Sequence, residues 1–179
     1  MSTGIDLLAG IRIIDLTSVI FGPLATQVLA DYGADVIKIE PPEGDIARWV
    51  GESKHPDMGS LFLAVNRGKR SVKMDLKDPA TRADFETMVR GADVLVHNIR
   101  REPARKLGLG PAEILAINPG IVYAAATGFP AGTSLEDAPA IDDVIQAASG
   151  LAAINADESG KPRYFPTIFA DKVAGYALV

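Results

Sequence analysis

Cysteine is absent from the 179 residues. Its absence excludes disulfides, thiolate metal sites and a thiol nucleophile, and fits a reducing compartment. Histidine occurs only twice. His55 and His97 do not fall at metal-ligand spacing and no HExxH is present, so no metal site is expected and each ring is read as surface or hydrogen-bonded core. No apolar run reaches the roughly 18 residues that span a bilayer. No basic stretch followed by an apolar core opens the chain as a secretion signal would. Positive charge is in deficit: 18 Lys and Arg stand against 23 Asp and Glu, for a net charge of −5. That balance argues against a nucleic-acid or membrane-surface partner. Together these features give the reading of a cytoplasmic protein.

Three nucleotide and hydrolase motifs are missing as well. Where a dinucleotide fold carries GxGxxG after its first strand, this chain has TSVIFGP, so a pyrophosphate lacks its usual glycine cradle. There is no GxxxxGK[ST] and no GxSxG, which removes a P-loop NTPase and a nucleophile elbow.

What is present is a strand–helix–strand pattern. The apolar run over 11–16 reads as a buried strand, and residues 17–22 as a turn. A helix is expected from Pro23, with Leu24, Val28 and Leu29 on one apolar face beside Ala25 and Tyr32. Gly33 suits a left-handed cap, and residues 35–40 alternate as a second strand. This is a βαβ unit whose strands should lie parallel. Ligands on such sheets bind beyond the carboxyl ends of the strands, which places 17–22 and 40–45 at the expected site. Residues 46–60 read as irregular, 61–65 as an apolar run and 66–70 as a basic turn. A strand is expected over 71–76. Asp78 and Pro79 then start a helix to about Arg90, and 93–96 form another strand, making a second unit. After a basic stretch over 99–106, a helix over 111–117, a strand over 121–126, a helix over 141–149 and a helix opening near Asp171 complete one α/β domain with a mainly parallel sheet. The chain ends at Val179 within that helix, with no glycine cap.

Two chemistries suggest themselves. Arg67, Lys69, Arg70, Lys73 and Lys77 form one basic group, and Arg100, Arg101, Arg105 and Lys106 another. Each is either a solvated face or a hold on a phosphate-bearing ligand by side-chain cations. Asp142, Asp143 and Asp171 sit at helix starts. A carboxylate there is either a stabiliser of the helix dipole or a nucleophile aimed into a cleft.

The series GIRIIDLT at 10–17, GP at 22–23, LADYGADVIKIE at 29–40, NRGKRS at 66–71, ADVLVHN at 92–98, IDDVIQAASG at 141–150 and ADK at 170–172 resembles the family III CoA-transferases. This group, also called CaiB/BaiF, includes formyl-CoA transferase, carnitine CoA-transferase and 2-methylacyl-CoA racemase. The resemblance implies a Rossmann-like large domain, of which residues 1–179 would be the N-terminal part. The small domain, a glycine-rich active-site loop and the return to the large domain would lie outside this chain, and two full-length subunits would interlock as a homodimer. It implies acyl-CoA and a small carboxylic acid as substrates, with Asp171 as nucleophile and Asp142 as a second acidic site residue. CoA contacts carry over to Val19, Ile20, Phe21, Met74, Lys77, Asn98, Ile99 and Lys106. A common basic contact falls on Pro41, leaving Arg48 or Arg67 as alternatives for the phosphates. The racemase histidine position holds Ile141, which disfavours that branch. A non-catalytic CoA-binding fragment is the remaining alternative.

Overall fold

The computed structural model describes residues 6–179. At its centre is β1 (Arg12–Leu16), an apolar strand with neighbours on both sides. Helix α1 (Phe21–Asp31) leads to β2 (Asp35–Glu40), which pairs parallel to β1 with Ile14 opposite Ile37 and Asp15 opposite Lys38. Helix α2 (Ser60–Asn66) precedes β3 (Arg70–Lys73), which joins the outer side of β2. The chain then crosses to the other side of β1. Helix α3 (Pro79–Arg90) is followed by β4 (Val94–His97), α4 (Arg101–Lys106), α5 (Pro111–Ile117) and β5 (Val122–Ala125). The sheet order is β3-β2-β1-β4-β5 and every pairing is parallel, so the expected α/β class is observed. Direction reverses between β1 and β4, and a crevice at that switch point is where such sheets take ligands. Helices α6 (Asp142–Ala148), α7 (Leu151–Ile154) and α8 (Ala170–Leu178) close the chain.

Alternation along the strands splits the core between two faces of the sheet. Ile14, Leu16, Ile39 and Leu95 pack with Phe85 and Val89 of α3 and Ile114 of α5. Ile13, Val36 and Val96 face the other way, against Leu29 and Ala30 of α1 and Leu178 of α8. Asp78 caps α3 by accepting the Thr81 amide at 3.0 Å, with Pro79 following it, as expected. Gly33 has φ +98°, the left-handed conformation that ends α1.

Several elements depart from expectation. Helix α1 starts at Phe21, two residues early; Pro23 still lies in the first turn, where its missing N–H costs nothing. Its buried residues are Gly22, Pro23, Ala25, Thr26 and Gln27, while Leu24, Val28 and Leu29 are only half-buried. The helix is flanked by α2 and α8 and lies over charged strand residues, so its polar side is also covered. A 3₁₀ turn, Ile46–Trp49, interrupts the stretch read as irregular, and Asp45 caps it through the Ala47 amide. The apolar run at 61–65 is the body of α2, and the basic stretch after Ile99 contains α4. Strand β3 stops at Lys73 and all four of its residues are exposed, as an edge strand allows. Helix α7 follows Gly150, whose φ of +81° turns the chain between α6 and α7.

Candidate active site

Five consecutive backbone groups after β1 are held by side chains from elsewhere. Asp15 accepts the Thr17 amide at 2.8 Å. Lys38 donates to the Thr17 carbonyl at 2.6 Å. Asn98 accepts the Ser18 amide at 2.9 Å and donates to the Ser18 carbonyl at 2.8 Å. Asp45 accepts the Val19 amide at 3.2 Å. Val19 is thereby kept at φ +70°, an unfavourable conformation for a β-branched residue and a form of strain that clusters at functional sites.

The side chains that do the holding form a buried ionic layer between the sheet and α1. Lys69 Nζ donates to Asp15 at 3.0 Å, to the Pro23 carbonyl at 2.8 Å and to Asn66 at 2.9 Å, a full complement for an ammonium. Burial pushes Lys69 down to about 8, against the pull of Asp15, and leaves it charged at neutral pH. Burial would raise Asp15, but the charges of Lys69 and Lys38 with hydrogen bonds from Thr17 and Thr26 hold its carboxyl below the usual range. Lys38 lies 2.9 Å from Asp45. Arg48 forks onto Glu40 at 2.6 and 2.7 Å and stacks over Phe62. Burial opposes ionisation of Glu40, yet hydrogen bonds from Arg48, Ser71 and the Asp45 amide bring it down to about 2.

Two clefts open beyond the carboxyl ends of the strands and meet at Ser18, which lines both. The first, about 450 Å³, lies between the loop after β2, including Pro41 and Gly44, and Met74, Lys77 and Ile99. The second, about 490 Å³, is bounded by Val19, Ile20, Phe21 and Asn98 on one side. Ile141, Asp142, Asp171 and Ala174 from α6 and α8 form part of its opposite wall. Asp142 Oδ2 accepts the Asp171 amide at 3.0 Å, and its other oxygen is held by the buried amide of Gln146. Burial, then the charge of Asp142, push the Asp171 carboxyl up to about 6. A carboxylate so placed is half-buried, paired with no described residue and open to a cleft, an environment in which a carboxylate can act as a nucleophile.

Of the residues singled out in the sequence, Val19, Ile20, Phe21, Asn98, Asp142 and Asp171 line the second cleft, and Met74, Lys77 and Ile99 the first. Lys106 lines neither; it is exposed at the end of α4, 3.7 Å from Glu102. The basic group at 67–70 is not at the ligand edge. Arg67 pairs with Asp31 and Arg70 with Asp35 near the amino ends of the strands, and Lys69 is consumed by Asp15. Neither Arg48 nor Arg67 is left free for a phosphate, since each already forks onto a carboxylate. His97 is buried core: its Nε2 meets Tyr123 at 2.6 Å while Nδ1 accepts the Ile99 amide. Among the described residues no group of three or more His, Asp and Glu is placed to hold a metal, and no helix is long and apolar enough to cross a membrane.

The family model of CoA-transferase family III matches residues 8–179. The chain belongs to CoA-transferase family III. It is 43% identical over 154 residues to acetyl-CoA:oxalate CoA-transferase of Acetobacter aceti, covering 86% of this chain and 39% of that protein. It is 38% identical over 175 residues to succinate–glutarate CoA-transferase of Agrobacterium fabrum, covering 94% and 44%. It superimposes on the crystal structure of a CaiB/BaiF family protein from Brucella suis with a TM-score of 0.86 at 31% identity, covering 96% of this chain and 48% of that one. The family III chain thus spans less than half the length of these relatives.

Sequence reasoning missed the ionic layer of this family III domain. In β2, Lys38 and Glu40 alternate with apolar residues, and the sequence reading assigns them no partner. A parallel sheet is covered on both faces, however, so charges in its central strands must find partners inside. That rule is the signal that would have found them.

Proposed function

We propose that this chain is the CoA-binding, nucleophile-bearing part of a CoA-transferase that moves CoA from an acyl-CoA donor to a carboxylic acid. The observation that carries this reading is the position of Asp171: a partly desolvated carboxylate, paired with no described residue, on the wall of a cleft that runs past Ser18 into a second cleft edged by Lys77. An elongated thioester would lie along the two clefts, its polar end near Lys77 and its acyl end at Asp171.

Asp171 attacks the thioester carbonyl; the C–S bond breaks, giving an aspartyl–acyl anhydride and CoA thiolate. The thiolate attacks the aspartyl carbonyl and releases the donor acid, leaving an aspartyl–CoA thioester. The acceptor carboxylate attacks that thioester, forming a second anhydride and freeing the thiolate. Attack of the thiolate on the acceptor's acyl carbon releases the new acyl-CoA and restores Asp171. Each step exchanges one acyl bond for another of similar reactivity, which is what covalent catalysis gains here. Asp142, bonded to the Asp171 amide, fixes the first turn of α8 and keeps the nucleophile's basicity up. The amide hydrogen bond is one anchor of that geometry.

In the complete protein we place a small domain, a glycine-rich loop over the cleft and a second interlocked subunit around this domain, with action in the cytoplasm. Ile141 stands in the same cleft wall and has no group to carry a proton, so α-proton exchange lacks a base at that position.

Calorimetric titration of this chain with CoA, with adenosine as control, tests the reading. Saturable CoA binding that weakens on Lys77→Ala is expected, with Asp171→Ala binding as the parent does. No binding of CoA by the parent chain would contradict it.

A further inference from the structure

The Lys38–Asp45 pair is expensive. Both side chains are 1% exposed, and neither charge meets solvent. Asp45 Oδ2 accepts no hydrogen bond from any described residue; its nearest compensating charge is Lys38, 2.9 Å away, with those of Lys69 and Arg48 beyond. Replacing a buried ion pair with apolar side chains of similar size is often neutral or stabilising, so stability alone does not explain the pair.

Its other atoms point to a reason. Lys38 Nζ also donates to the Thr17 carbonyl, and Asp45 Oδ1 accepts the amides of both Val19 and Ala47. One end of the pair therefore grips the chain two residues before the other end does. Between these two grips lies Ser18, the point common to both clefts, clasped from the opposite side by Asn98. Val19, which follows, carries the left-handed φ of +70°. The pair also ties two segments together: Asp45 ends the loop that walls the first cleft, and Val19 walls the second.

We propose that Lys38 and Asp45 are positioning residues for acyl-CoA: they hold the strained turn at Val19 and so set the alignment of the two clefts along which the thioester must pass to reach Asp171. This rests on the CoA-binding reading above. Neither residue touches the reacting atoms.

Two variants separate positioning from stability. In the Lys38→Met/Asp45→Leu chain both charges and both backbone grips are gone, but no buried charge is left unpaired. It should keep a urea midpoint nearer to the parent's than Asp45→Asn does, the freed Thr17, Val19 and Ala47 groups costing some stability, while losing about tenfold in CoA affinity, the size expected when a strained turn is no longer held. In Asp45→Asn the Oδ1 acceptor for Val19 remains while Lys38 loses its nearest carboxylate and keeps only the charge of Asp15. It should lose stability and retain CoA affinity in the folded chain. A structural role alone predicts the reverse pairing, with affinity following stability in both. Amide hydrogen exchange at Val19 supplies a readout that needs no ligand: slow in the parent and in Asp45→Asn, fast in the double variant. If the parent fails to bind CoA, the CoA reading falls and exchange at Val19 still decides whether the pair holds the turn. Unchanged exchange and affinity in the double variant would overturn the proposal, and if only one variant folds its affinity and exchange decide the matter alone.

Discussion

The carboxylate of Asp142 accepts the backbone N–H of Asp171 at 3.0 Å, across 29 residues of sequence. One acidic side chain thus ties the start of α8 to the start of α6 and, by its own charge, keeps the neighbouring carboxyl basic. The two carboxylates differ in that, among the described residues, only Asp142 has its oxygens satisfied. Asp142 is engaged through both of them, by the Asp171 amide and by Gln146.

This arrangement fixes a pH dependence. As the proposed nucleophile Asp171 would have to be ionised to attack, and its carboxyl is pushed up to about 6 by burial and then by Asp142. Formation of the acyl adduct should therefore decline as pH falls through about 6. In Asp142→Asn the like charge is gone and the acid limb should move to lower pH. Carboxyl titration of Asp171 by NMR, in the parent and in this variant, checks the direction.

The same shift has a cost in stability. A carboxyl raised from 3.8 to about 6 binds more protons folded than unfolded between those values, so its contribution falls as pH rises through them and stays unfavourable above. Asp171→Asn should therefore stabilise the chain at pH 7.5 by about 1 kcal/mol, after discounting for screening at a half-buried site. At pH 3.5 the gain should vanish. Urea midpoints at the two pH values measure it.

Glu40 works in the opposite sense. Its carboxyl is lowered from 4.5 to about 2, so the stability it gives is complete above 4.5 and is lost as pH falls through that window. Arg48→Ala would leave Glu40 buried with half its hydrogen bonds and would remove the guanidinium stacked on Phe62. A loss of about 3–5 kcal/mol is expected at pH 7. The deficit relative to the parent should narrow as pH falls below 4.5, which parallel urea titrations would show.

Gly175 sets the distance between α8 and α1. A Cβ there would sit 2.9 Å from the Phe21 carbonyl and 3.1 Å from Leu24, so backbone must move to admit it. Gly175→Ala should cost about 1–3 kcal/mol. Because Asp171 lies one turn earlier on the same helix, CoA-dependent chemistry should suffer more than CoA affinity. Comparing thermal midpoints with adduct yield tests both parts.

The scaffold was more legible in the sequence than the site. Asp78, Pro79 and Gly91 mark the ends of α3 by local chemistry, and the alternation of Ile37 and Ile39 with Lys38 and Glu40 marks β2 without reference to anything distant. The turn over 17–22 follows from the rule for parallel sheets, and it does line the clefts. The partners of charged residues were not legible. Arg67 and Arg70 read as ligand-edge cations because Asp31 and Asp35, which neutralise them, lie more than thirty residues earlier. The partners of Lys38 and Glu40 were missed because alternation cannot tell water from a covering helix. The pairing of Asp142 with Asp171 has no local signal, since it depends on how α6 and α8 pack; position at helix starts marked each as a candidate, and the family resemblance put both in one site.

The central claim is that Asp171 is the nucleophile. It is tested most directly by incubating the chain with succinyl-CoA, reducing with borohydride and mapping modified peptides by mass spectrometry. The account predicts an aspartyl thioester reduced to homoserine at Asp171, absent from Asp171→Asn. Modification at another carboxylate, with Asp171 untouched, would contradict it.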